Sequence, residues 1–416
     1  MHMKFITRFL SLCLCIVLLG SMFTACNKTS DKIQVEIWHN WNVEEGGTEY
    51  ELTVLVNEFN ASQDKIEVCL ISQPSEGFSN KVYTSVANGT GPDIFFNFAT
   101  AVPEYAAENL LADMGKYMDT EALRSRMSEA LWQESTGADG KLHIVPIQTS
   151  APVLFYNKTI YDELGLDAPK TWADVESDAK VIYQKKGIAG FGVDSYIDLA
   201  QTLFCQTGAE YINTETKTVG FNTPACAQQV EWFTDCINQG FFTTNFESGS
   251  IDQDFNAGLL ACFMGTCTYE PYIVPNGFEY AVAPTPTNGD TAWAPIFSRG
   301  AIVFASDEKT EAAACEFLEF FTNAQNSARW SMAIGSLSPY NDADLHPDYT
   351  KYVETDIVLK AAVETIEYAY TTPAVIGAPT VRTELKQLFL QVVGGIKSAE
   401  EALAEAEKNC NNALQN

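Results

Sequence analysis

Between residues 33 and 98 the spacing of apolar side chains changes period four times, and this alternation limits the chain to a few architectures. Ile33, Val35 and Ile37 alternate as in a strand, and Leu52, Leu55, Val56 and Phe59 recur at helical spacing. Ile66, Val68 and Leu70 alternate again, Phe78, Val82 and Val86 form a second helical stripe, and "NGTGPDIFF" turns into a third strand. Strand, helix, strand, helix, strand predicts an α/β fold with a mostly parallel sheet, helices on its faces and right-handed crossovers. The first strand runs into "WHNW", so Trp38, Asn40 and Trp41 crowd the point where a turn begins. In open α/β sheets ligands sit beyond the carboxyl ends of strands. Sugars stack their C–H faces on aromatic rings and need fixed polar partners for their hydroxyls, so these three residues are candidate ligand contacts. Trp41 is favoured over Trp38, which continues the strand's alternation and is expected to pack.

The beginning of the chain points outside the cytoplasm. Lys4 and Arg8 precede the apolar run "FLSLCLCIVLLG", which is short for a bilayer span and typical of a secretory signal. Phe23-Thr24-Ala25-Cys26 then resembles a bacterial lipobox, with residues 1–25 removed, Cys26 lipidated and 26–32 as a tether. The protein is thus expected to be extracytoplasmic and held to the cell membrane by Cys26. About 390 residues remain, enough for two lobes with substantial cores. No linker or repeat separates two halves, so the chain is expected to cross between lobes more than once.

Composition removes several functions. A net charge of -29 would repel nucleic acid and anionic lipid surfaces. The histidines His2, His39, His143 and His346 match no metal-ligand spacing, and no metal or cofactor is expected. Eight cysteines remain after Cys13, Cys15 and Cys26 are set aside; most sit in apolar patterns such as "LLACFMGTC", which favours buried free thiols over disulfides. Paired carboxylates such as Glu44 and Glu45 leave an exported glycosidase as an alternative. With 54 acidic residues such pairs arise by chance, and no G-x-S-x-G, H-E-x-x-H or phosphate-loop motif occurs, so no catalytic residue is assigned.

A family resemblance extends over essentially the whole mature chain. "VEIWHNW", "LVNEFNASQDKIEV", "NGTGPDIFF", "VPIQTSAPVLFYNKTIYDELGLDAPKTWADV", "FNAGLLACFMGT", "AIVFASDEKTEAAACEFLEFFTNAQNSARWSMAIGSLSP" and "SAEEALAEA" occur in order. They resemble segments of the family 1 extracellular solute-binding proteins of ABC transporters, the maltodextrin-binding-like receptors for sugars and glycerol phosphates. The resemblance implies a two-lobed periplasmic-binding-protein-like fold, with residues 33–148 and 294–337 in one lobe and 149–293 and 338–416 in the other. It implies crossings near Ile147–Ser150, Trp293–Ser298 and Ser336–Tyr340, a ligand in the cleft, hinge closure, and a monomer serving the permease subunits of an importer.

The matching loops add candidate contacts to Trp38, Asn40 and Trp41. They are Glu76 and Phe78; Asn97 and Thr100; Gln148 and Ser150 at the first crossing; Tyr196 and Asp198; Thr266 and Tyr269; and Arg299 with Gly300 at the return crossing. In the glycerol-3-phosphate branch a tyrosine, an acidic residue and a late arginine help hold the ligand. Phe78, Ala99 and Ala374 stand at the matching positions, and the "TTPAVIGAP" loop contains no cation. A neutral saccharide is therefore favoured. Glycerol-3-phosphate, a glycerophosphodiester or an acidic sugar remain as alternatives, with Arg299 as a partial substitute for the missing cation.

Overall fold

The computed structural model describes residues 32–137, 139–245 and 247–415; the expected signal segment and Cys26 lie outside them. The helix Tyr50–Ser62 buries Leu52, Leu55, Val56 and Phe59, the stripe read from the sequence, against strands β1 (Ile33–His39) and β2 (Ile66–Ser72). β1 pairs in parallel with β2 along its whole length, from Ile33 opposite Ile66 to His39 opposite Ser72. Its other edge pairs in parallel with β3 (Ile94–Phe98).

The chain then changes sheet. β4 (Val145–Ser150) belongs to the first sheet and β5 (Pro152–Asn157) to the second, with only Ala151 between them. β6 (Phe191–Val193), β7 (Phe242–Thr243), β8 (Cys262–Thr266) and β9 (Tyr280–Pro284) complete a second sheet of order β7-β6-β8-β5-β9. β10 (Ala294–Val303) returns to the first sheet, antiparallel to both β3 and β4, and β11 (Ala369–Thr371) pairs with its first residues. Thr149 and Leu337 exchange backbone hydrogen bonds of 2.9 and 3.0 Å, which ties the late 336–340 segment to β4.

Each sheet has its own core, the signature of a two-lobed α/β fold. Val35, Ile37, Phe317 and Trp330 are among the fully buried side chains of the first, and Leu154, Phe233, Phe389 and Leu403 of the second. Local chemistry sets the helix boundaries. Thr171 and Asp174 form a reciprocal capping box at the helix Trp172–Lys186. Ser398 and Glu401 do the same before the helix Ala399–Gln415, whose Ala399, Ala402, Leu403, Ala406, Cys410 and Leu414 face the core. Seven of the described cysteines, among them Cys262, Cys267 and Cys410, are buried free thiols, as the apolar patterns imply.

Candidate functional site

The turn after β1 places Trp41 between the lobes. Its ring stacks on Phe96 at 5.0 Å and 12° and leans on Trp330 at 5.5 Å, so two buried aromatics hold it from behind. Trp41 lines a cavity of about 120 Å³ with Glu49, Gln148, Arg299 and Ile334 of the first lobe and Thr268 and Tyr272 of the second. Trp38 lies on the opposite face of the strand. It packs against the cluster of Phe78, Val82 and Phe95, with the Lys81 ammonium 5.4 Å from its ring.

Arg299 leaves β10 at an irregularity in the pairing with β4, between Arg299 and Gly300. Its guanidinium carbon sits 5.4 Å from the Trp41 ring and 4.7 Å from the Phe98 ring. Its Nε is enclosed without a hydrogen-bond partner. Burial draws its pKa down, and the charge of Glu49 opposes that shift. Burial also raises the pKa of Glu49, whose carboxylate accepts the Asn42 N–H at 3.2 Å. Gly300 has a structural reason to be glycine: a Cβ there would lie 2.7 Å from the Val145 carbonyl oxygen and 2.4 Å from Ile144.

The second lobe contributes a cavity of about 200 Å³ lined by Asp194, Asp198, Thr266 and Tyr269. The Tyr269 hydroxyl donates to Asp194, and Asp198 stands 3.8 Å from Arg382. Arg382 also lines a small space with Phe98, Thr100, Ser298 and Glu134. Glu134 and Thr372 connect that space to a cavity of about 600 Å³, which takes Val102 and Pro103 from one lobe and Ile212, Ala374 and Ile376 from the other. Burial pushes the Glu134 pKa up to about 8, against a weaker opposite effect from the Ser298 hydroxyl.

The sequence candidates thus separate into two groups. Trp41, Gln148, Arg299 and Thr100 line interlobe space, and Asp198, Thr266 and Tyr269 line the cavity of the second lobe. Phe78 is instead 8 % exposed and meets Phe95 edge-on, and Tyr196 stacks on Phe389 at 5.5 Å in the second core. Ser150 is buried in the β4–β10 ladder, the Asn97 carboxamide oxygen accepts the Phe98 N–H, and Asn40 and Glu76 are solvent-exposed. Sequence reasoning missed Glu49, Glu134, Asp194, Tyr272 and Arg382. The loop at 371–379 does lack a cation, but Arg382 follows in the first turns of the helix Ala378–Val393, where helical spacing could have found it.

Residues 54–356 match the family described as bacterial extracellular solute-binding protein. This chain belongs to that family. Its place of work is therefore extracytoplasmic, and no helix among the described residues is long and apolar enough to cross a membrane. Among relatives of this solute-binding protein, the sn-glycerol-3-phosphate-binding periplasmic protein UgpB of Pectobacterium atrosepticum is 25% identical over 298 residues, 66% of this chain and 67% of that protein. The maltotriose-binding protein of Pyrococcus abyssi is 21% identical over 351 residues, 82% and 73% of the two chains. In architecture it resembles the GacH receptor of Streptomyces glaucescens, with a TM-score of 0.82 at 18% identity, covering 92% of this chain and 99% of that one. These relatives are binding proteins rather than enzymes.

Proposed function

We propose that the protein captures a carbohydrate between its lobes and delivers it to the permease subunits of an ABC importer, with no covalent step. The observation that carries this reading is the cavity where Trp41 of one lobe and Tyr272 of the other meet polar groups from Gln148, Thr268 and Glu49. Aromatic surface from both lobes together with hydroxyl and amide groups suits a pyranose ring. The maltotriose-binding relative supports a saccharide. The proposal assigns residues 33–148 and 294–337 to one lobe and 149–293 and 338–416 to the other. Closure then bends the chain at the crossings beside Ala151, Ala294 and Leu337 and presents a closed shape to the importer. It includes a monomer tethered to the membrane by a lipidated Cys26.

A melting-temperature screen against mono- and oligosaccharides tests the reading. A ligand at 100 times its Kd adds about 2.7 kcal/mol to stability by mass action, so at least one sugar should raise Tm by a few degrees. No response to any sugar, with a clear response to glycerol phosphates, would overturn the carbohydrate assignment. Product formed from the stabilising sugar would overturn the receptor role.

A further inference from the structure

Five arginines fall within the described residues, and four of them are paired. Arg124 meets Glu129, Arg126 meets Asp342, Arg329 bridges Glu51 and Glu58, and Arg382 lies 3.8 Å from Asp198. Arg299 makes no such pair among these residues, although it lines the interlobe cavity beside Trp41 with its Nε enclosed and unpartnered. A buried cation without a direct ion pair is costly, and proteins tolerate one mainly where something else supplies the anion.

The geometry narrows what that anion is. Trp41 and Phe98 lie over the guanidinium, so its edge N–H groups are the part left to receive a partner, in the fork arrangement that fits a planar carboxylate. Glu49 is the nearest opposing charge and shares the cavity, where no second cation is present. A single guanidinium beside a carboxyl group suits a monoanion, whereas a phosphate dianion would be left largely unneutralised.

We propose that the captured saccharide is acidic, and that Arg299 takes the carboxylate of a uronic acid unit while Trp41 stacks on its ring. This rests on the carbohydrate reading and adds the charge of the ligand to it. The test is calorimetric titration with uronic acid disaccharides of the gluco, galacto and manno series, each compared with its methyl ester and its neutral parent. In at least one series the acid should bind about ten- to a hundredfold more tightly than the ester, the range expected for a charge-assisted hydrogen-bonded pair. Arg299→Gln should erase that preference, so that acid and ester bind the variant with equal affinity whatever the change in overall affinity. Should Arg299→Gln fail to fold, the acid-to-ester comparison on the unaltered protein still decides. Neutral sugars binding as well as the acids would overturn this assignment and leave the carbohydrate receptor standing. Binding of glycerol phosphate alone would overturn both.

Discussion

Trp41→Ala should weaken saccharide binding about a hundredfold or more, the loss expected when a central aromatic anchor is removed. Its effect on folding should be modest. Both tryptophans are partly buried, but Trp41 faces the cavity, and Phe96 and Trp330 behind it keep their places in the first core. Trp38→Ala should do the reverse, because that indole fills space beside Phe78, Val82 and Phe95. Stability should fall by roughly 2–4 kcal/mol, with affinity nearly unchanged. Calorimetric titration with the stabilising sugar and urea unfolding of both variants separate the two outcomes. If Trp38→Ala abolishes binding and Trp41→Ala does not, the assignment of the two faces is wrong.

The second large effect concerns proton linkage at Glu134. Its carboxyl has a folded-state pKa pushed up to about 8 by burial, from an ordinary value of 4.5. Between those values the folded state holds a proton that the unfolded chain releases, so this group's contribution to stability falls as pH rises and levels off above about 8. Glu134→Gln keeps the shape and removes the ionisation. The variant should match the parent near pH 4.5, then gain progressively, reaching a Tm advantage of a few degrees at pH 9. Tm measured at several pH values checks this, and parallel melting curves at every pH would show that the carboxyl is not confined as described.

Periodicity made most of the fold legible. The stripe Leu52, Leu55, Val56 and Phe59 appears as read; the capping pairs at Thr171 and Ser398 and the face of the last helix likewise depend on nearest neighbours along the chain. Individual cleft residues were less legible, because a loop position does not fix a side chain's direction. Tyr196 begins a helix after a strand, as an aromatic plate would, yet Phe389 from nearly two hundred residues later draws its ring into the core. Arg382 escaped for the opposite reason: helical geometry brings it to a space that the preceding loop only approaches. Pairing is equally invisible in one dimension. Nothing local to Arg299 reveals that it lacks the carboxylate partner that each other described arginine has.

β10 lies between β3 and β4, yet it is made almost two hundred residues after β3 and about one hundred and fifty after β4. The first sheet therefore cannot close until the entire second sheet has been synthesised. A nascent chain stopped between residues 150 and 294 exposes the unpaired edges of β3 and β4, open to pairing with other chains. One consequence is practical: no single cut in the gene can yield the first lobe alone. Another is kinetic, since distant pairings of this kind slow folding and favour a chain that remains unfolded while still being made.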